Sequence, residues 1–307
     1  MGGPGKMNLE VTIGNKVLPN PVGVASGTFG YGSEYESLID LSILGAIYTK
    51  AVTLEPRYGN DIPRLIETPS GIINSIGLAN VGIDRFIKEK IPYLKTLPCA
   101  IVANIAGSTE DDYIGVVEKL EHCNEIWGYE INVSCPNVKC GGMAFGTDHV
   151  QIERLTSLLR KLTTKPLIIK LTPNVTDITV TAKAAEAGGA DAISCINTLV
   201  GMVIDTKKKK PVLAMKTGGL SGPAIRPVGV AMTYRASHAV KIPVIGMGGI
   251  MCADDAIQYL LAGARAIQVG TGTFVDPKIP SQVLDGIQEY MRREKLERIA
   301  DFGKFIA

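Results

Sequence analysis

Asn132-Val-Ser-Cys-Pro-Asn137 puts an amide, a hydroxyl, a thiol, a turn-forming proline and a second amide within six residues. It follows Trp127-Gly-Tyr-Glu-Ile131, which reads as the start of a buried strand. The glycine-rich Lys139-Cys-Gly-Gly-Met-Ala-Phe-Gly146 comes next. Taken alone, Cys135 is either a reactive group or an inert thiol in a loop, and its neighbours must decide.

Three other residue sets could do chemistry. Lys50 and Lys170 end the apolar runs Ile47-Tyr-Thr-Lys and Leu167-Ile-Ile-Lys. A lysine buried there unpaired is costly, so each needs an anion: a reduced flavin, a phosphate or a carboxylate. A lysine snorkelling to a rim is the bland alternative. Asn74, Asn80, Asn104, Asn132, Asn137 and Asn197 form the second set. A side-chain amide donates and accepts, as the edge of an imide or pyrimidine ring requires. Turn preference accounts for Asn60 and Asn174, but poorly for the asparagines that end strands. The third set is glycine-rich: Val244-Ile-Gly-Met-Gly-Gly249 and Ala266-Ile-Gln-Val-Gly-Thr-Gly272. Small residues before a helix let backbone N–H groups approach a phosphate, although tight turns alone would also use them. Met251 and Val275 occupy the sixth positions of any G-x-G-x-x-G, so no Rossmann fingerprint is present. His122, His149 and His238 all fall in helical stretches, away from these strand ends. Cys135 is then the available base, provided a flavin or lysine lies near and the Gly141–Gly146 loop closes over it.

These groups need a frame that brings strand ends together. Apolar strands are expected at Val22–Ala25, Ala46–Lys50, Ala100–Asn104, Tyr129–Val133, Leu167–Leu171, Ala192–Ile196, Val244–Gly246 and Ala266–Val269. Helical stretches at Glu34–Leu44, Asp84–Lys95, Thr109–Cys123, Asp148–Leu162, Asp177–Ala187, Pro223–Ala239 and Ala253–Ala262 separate them, and Lys278–Glu297 follows. Eight alternating units predict a parallel (β/α)8 TIM barrel of the α/β class, with an open doubly wound sheet as the alternative. Asn8–Ile13 and Lys16–Leu18 read as a small N-terminal hairpin turning at Gly14-Asn15. Residues 1–7 read as a flexible leader and 8–307 as one domain. Two long βα connections, 51–83 and 197–222, would project over the C-terminal face, where barrel active sites are built.

Composition narrows the class. Hydrophobic residues make up 46% and charged residues 20% of 307, with a formal charge of +2. That is a globular chain with no field favouring nucleic acid or anionic membrane. Lys207–Lys210 is the local exception and reads as a solvated loop. No apolar run is long enough to span a membrane, and the N-terminus is no signal peptide. Six cysteines without a C-x-x-C pair argue against a zinc site or an iron–sulfur cluster held by this chain, and for a reducing cytoplasm.

In order, Thr49-Lys-Ala51, Asn74-Ser-Ile-Gly-Leu-Ala-Asn80, Asn132–Asn137, Ile169-Lys-Leu171, Asn197-Thr198, Gly218-Gly-Leu-Ser-Gly222, Gly248-Gly249 and Gly270-Thr271 resemble the class 1 dihydroorotate dehydrogenases, flavin barrels of pyrimidine (UMP) biosynthesis. The resemblance spans roughly residues 8–300. It implies one FMN per chain, contacted by Ser26, Lys50, Ala51, Asn104, Asn132, Lys170, Ile196, Gly222, Gly248, Gly249, Gly270 and Thr271. It implies a pyrimidine held by Lys50, Asn74, Ser75, Ile76, Gly77, Leu78, Asn132, Asn137, Asn197 and Thr198. Cys135 becomes the base for the C5 proton, FMN the acceptor of the C6 hydride, Lys170 the stabiliser of reduced flavin, and Lys50 a bridge between flavin and substrate. No metal is implied.

The run from Cys135 to Lys139, with Gly141-Gly142, Phe145-Gly-Thr147 and Leu220-Ser-Gly-Pro-Ala-Ile225, resembles the NAD-linked class 1B. The resemblance implies a homodimer, and a heterotetramer with a separate subunit carrying FAD and [2Fe–2S]. Alone, the chain is then expected to reduce its FMN with dihydroorotate but NAD+ poorly. Met215 departs from the asparagine expected before Lys216-Thr-Gly218. The fumarate-linked class 1A, a dihydropyrimidine dehydrogenase-like flavoenzyme and a non-catalytic phosphate-binding barrel are the competing expectations.

Overall fold

A computed structural model describes residues 7–134 and 145–304. Eight parallel strands close into a barrel: β1 (Val22–Val24), β2 (Ala46–Tyr48), β3 (Ala100–Ile105), β4 (Gly128–Asn132), β5 (Leu167–Lys170), β6 (Ala192–Cys195), β7 (Val244–Met247) and β8 (Ala266–Val269). Each pairs with the next in sequence, and β8 closes on β1 through Gln268 opposite Gly23. Closure leaves no sheet edge exposed. The open-sheet alternative is excluded.

The strands are buried on both faces, which is why they read as apolar runs rather than alternating ones. Alternation is nonetheless present. Ile101, Ala103, Ile105, Tyr129, Ile131, Leu167, Ile169, Ile193 and Cys195 share one cluster with the helical residues Tyr113, Val116, Leu155 and Ala182. Their neighbours along the strands, Asn104, Glu130, Lys170 and Ser194, meet one another through hydrogen bonds instead. The wall of the barrel therefore has an apolar outside and, toward its C-terminal end, a polar inside.

The helices lie close to their expected positions and their starts are chemically marked. Thr109 and Asp112 form a capping box on Glu110–Glu121. Asp148 and Asp177 cap His149–Arg160 and Ile178–Ala187. Arg226–Ala239, Ala253–Leu261 and Ile279–Glu294 follow the last three strands. The stretch expected helical at 84–95 runs as Ile83–Arg85, a π-segment Phe86–Lys90 and Ile91–Leu94. Pro92 lacks an N–H and its ring displaces the carbonyl one turn earlier, so the backbone widens there.

One expected helix is absent. Glu34–Leu44 forms turns and a single 3-10 helix, Leu41–Ile43. Glu34 turns back to accept from the Tyr31 N–H, and Asp40, extended at ψ 111°, caps Ser42 and stops any helix arriving from its N-terminal side.

The two long connections are not irregular. Leu65–Thr68 and Gly71–Asn74 come from the first, and Leu199–Gly201 and Gly218–Ser221 from the second. They assemble into one four-stranded antiparallel sheet, with Gly219 opposite Asn74 and Leu199 opposite Leu220. The expected N-terminal hairpin forms as Val11–Ile13 against Lys16–Leu18. Lys207–Lys210 sits at the exposed end of a small hairpin, Ile204–Asp205 with Lys210–Pro211.

Candidate active site

Inside the barrel, four strands aim donors at one carboxylate. Glu130, on β4, is fully buried. Its Oε2 accepts from Asn104 Nδ2 on β3 (2.6 Å) and Lys170 Nζ on β5 (3.4 Å). Its Oε1 accepts from Ser194 Oγ on β6 (2.8 Å) and Gln268 Nε2 on β8 (2.8 Å). An ionised carboxylate accepts at both oxygens and donates nowhere, so four donors match it. Lys170 thus finds its anion within the chain. Sequence reasoning asked for that anion but missed Glu130, one charged residue in a strand that otherwise reads as apolar. A charge at that point of the run was the available signal.

Just above this layer three glycine turns meet. A Cβ on Gly249 would lie 2.6 Å from the Gly222 carbonyl oxygen, and one on Gly222 would lie 3.6 Å from Thr271 Cγ2. The turns after β7 and β8 and the end of the upper sheet are therefore in contact, and Thr271 Oγ1 donates to Ser221 Oγ (2.8 Å). Gly249 adopts φ +71°, a conformation that disfavours a side chain. Gly270 is different: a Cβ there would meet only Ala25 Cβ, at 3.5 Å, so its inner side is open. Ala25 leads into half-buried Ser26, beside Gly270. Ala51 and Ile196 are buried in the wall at the ends of β2 and β6.

The amides form a second line. Asn197 Nδ2 donates to Asn132 Oδ1 (3.1 Å), linking β6 to β4, and Asn197 Oδ1 accepts from the Thr198 N–H (2.8 Å). Gly219 leaves space for Thr198, since a Cβ there would fall 2.1 Å from Thr198 Oγ1. Asn74 Nδ2 donates to the Gly219 carbonyl (3.3 Å). The segment Asn74, Ser75, Ile76, Gly77 and Leu78 is thereby held over the barrel mouth. Asn60 donates to the Ser75 carbonyl from one side and Asn80 to the Leu78 carbonyl from the other. Asn174 donates to the Thr198 carbonyl and accepts from the Val200 N–H, so it too clamps this rim.

Lys50 stands at the β2 end, half-buried, with no carboxylate within ion-pairing distance among the described residues. Its anion must come from elsewhere. All three histidines are exposed on outer helices or at their ends. Cys135, Asn137 and most of the Gly141–Gly146 loop lie outside the described residues.

These residues fit a flavin mononucleotide. Asn104 Oδ1 is buried without a hydrogen-bond partner, an acceptor in want of a ring N–H. The contacting glycine turns after β7 and β8 suit a phosphate. Lys170, paired with Glu130, ends β5, and Lys50 follows β2 at the same end of the barrel.

A family model for dihydroorotate dehydrogenase matches residues 8–291. In sequence the chain is 49% identical over 297 residues to the dihydroorotate dehydrogenase B (NAD+) catalytic subunit of Geotalea uraniireducens (strain Rf4), covering 97% of each chain. It is 50% identical over 296 residues to the protein of the same name from Alkaliphilus metalliredigens (strain QYMF), covering 96% of this chain and 98% of the relative. The same name belongs to a Desulforamulus reducens relative, 50% identical over 286 residues.

Proposed function

This chain belongs to the dihydroorotate dehydrogenase family, and from that premise we propose that it is the catalytic subunit of an NAD+-linked enzyme oxidising dihydroorotate to orotate in pyrimidine biosynthesis. The observation that carries this reading is the line Asn132–Asn197–Thr198–Gly219–Asn74, placed on the rim that also holds the acid-free Lys50. Alternating donors and acceptors beside a lone cation suit a cyclic imide that bears a carboxylate. A phosphate-only barrel needs neither.

The substrate loses hydrogens from two adjacent ring carbons. Cys135 takes the C5 proton onto its sulfur. Bound FMN supplies the acceptor for the hydride leaving C6. Asn74, Ser75, Ile76, Gly77, Leu78, Asn137, Asn197 and Thr198 hold the pyrimidine, while Lys50 and Asn132 touch both substrate and cofactor. Backbone groups of Gly222, Gly248, Gly249, Gly270 and Thr271 would hold the phosphate of FMN, and Ser26, Ala51, Asn104 and Ile196 would line the rest of its site. Lys170 presents fixed positive charge where the cofactor gains negative charge, which needs no reorganisation during the reaction.

Onward electron transfer would fall to a separate subunit carrying FAD and [2Fe–2S], and two copies of each chain would make the working enzyme. The relatives' designation as catalytic subunits supports such a partner. Among the described residues no helix is long and apolar enough to cross a membrane.

The test is a visible spectrum under anaerobic conditions. The purified protein should be yellow, and dihydroorotate should bleach it where dihydrouracil, lacking the carboxylate, should not. Cys135→Ala should keep its flavin while dihydroorotate oxidation falls by about 10² to 10⁴, typical for loss of a general base. A colourless protein, or equal bleaching by both compounds, overturns the reading.

A further inference from the structure

Glu130 takes no part in the reaction just described, yet four strands supply donors to it. We propose that Glu130 is a positioning residue that fixes the polarity of the cofactor site: it turns Asn104 acceptor-outward and offsets the positive charge of Lys170. The inference rests on reading this barrel mouth as a flavin site.

The orientation follows from the hydrogen bonds. Asn104 spends its amide N–H on Glu130 Oε2 at 2.6 Å, so its carbonyl oxygen faces away, buried and unpartnered. Were position 130 an amide, Asn104 could turn either way; a carboxylate accepts only, so it selects one. Ser194 and Gln268 hold the other oxygen at 2.8 Å each, which prevents the carboxylate from swinging away. Lys170 approaches at 3.4 Å, a long contact that leaves most of its donor capacity for the site.

The charge argument is independent of orientation. Lys170 still offers its positive end to the bound ring, but Glu130, paired with it at 3.4 Å, offsets part of that charge. One unit charge within roughly 10 Å, at an effective dielectric of about 20, changes the affinity for an anionic state by about tenfold or somewhat more. Removing only the carboxylate should therefore make the flavin more ready to take up negative charge.

Sulfite tests this without turnover. Its sulfur lone pair forms a bond to flavin N5 and leaves the ring carrying the added negative charge, and the visible band bleaches in proportion. In FMN-loaded protein, Glu130→Gln should bind sulfite about tenfold more tightly than wild type, whereas Glu130→Asp, which keeps the charge, should stay within about threefold. Unchanged affinity in Glu130→Gln overturns the proposal, and so does an equal change in both variants, which would mark a structural role. If Glu130→Gln cannot be recovered with flavin, the comparison moves to Lys170→Met and Glu130→Leu/Lys170→Met. The double variant removes both charges but also leaves Asn104, Ser194 and Gln268 without their shared acceptor, so both proteins are compared as folded, flavin-loaded samples. In Lys170→Met the carboxylate keeps three donors and opposes the adduct, so the double variant should bind sulfite about tenfold more tightly. Equal affinities overturn the proposal. A wild-type protein that holds no FMN, or is not bleached by dihydroorotate, refutes the flavin reading itself; bleaching with a null sulfite result refutes only Glu130.

Discussion

Asn80 ties the substrate-side turn to the barrel rim through four hydrogen bonds. Its Oδ1 accepts from the Thr53 and Gly82 N–H groups, and its Nδ2 donates to Thr53 Oγ1 and the Leu78 carbonyl. Asn80→Ala would strand partly buried donors, at about 1–3 kcal/mol. It should lower the thermal midpoint by a few degrees and raise KM for dihydroorotate several-fold with flavin content unchanged. An unaltered midpoint and KM would show that water replaces the amide at no cost. By residue type Asn80 belongs with the ring-reading amides, and only the fold makes it a clamp. Asn60 and Asn174 mislead in the opposite direction, since turn preference hides their hold on Ser75 and on Thr198 with Val200. What a side-chain amide will bond depends on which backbone groups the fold leaves unpaired, and sequence does not carry that. The need of Lys170 for an anion is legible because a buried charge demands one whatever the fold. Its identity is not, because Glu130 becomes its neighbour only when β4 and β5 pair.

At the level of elements, the eight strands were legible because each is a short apolar run ending in a polar or glycine-rich turn. The four-stranded sheet over the mouth was not. Its strands come from segments more than a hundred residues apart, and two of its glycines, the adjacent Gly218 and Gly219, lower its strand propensity. Those glycines are there for close approach. A Cβ on Gly218 would fall 2.5 Å from the Asn74 carbonyl oxygen, and one on Gly219 would overlap Thr198. Gly219→Ala should therefore push Thr198 and Leu199–Gly201 outward and raise KM for dihydroorotate by about tenfold, the cost of displacing one hydrogen-bonding rim residue. Flavin content should change little, because the displaced residue is Thr198, whereas the contact with the glycine turns after β7 and β8 is made at the other end of the strand, by Ser221 and Gly222. Loss of flavin in this variant, with KM preserved, would place the sheet on the cofactor side instead. The missing helix at 34–44 has a local cause: capping by Asp40 competes with a helical pattern, and the competition is settled within a few residues.

At the scale of the whole molecule, the fold buries groups whose loss of a proton costs stability. Burial pushes the Cys99 thiol up to about 12 and raises Cys195, which is completely buried, further. Tyr31 is pushed up to about 12, by burial first and by Glu34 second, and burial likewise raises Tyr48 and Tyr259. In each case the folded state holds a proton more tightly than the unfolded chain does. The stabilisation is complete below the unfolded thiol value of about 8.5 and is lost as pH rises through the folded values. Above that onset a fully buried thiol such as Cys195 costs about 1.4 kcal/mol per pH unit, and the tyrosines add to the slope above about pH 10. The thermal midpoint should be level from about pH 7 to 8.5 and then fall by several degrees by about pH 10. Scanning calorimetry across that range checks it, and a midpoint level to pH 10 would mean these protons are exchanged without unfolding cost. The same window is where the thiolate of an ordinary cysteine accumulates. A rise of dihydroorotate oxidation with pH, as a Cys135 base would give, should therefore be cut off by unfolding in slow assays run close to the thermal midpoint. Rapid mixing from neutral pH should separate the two, giving a rate that continues to climb where the steady-state rate has begun to fall.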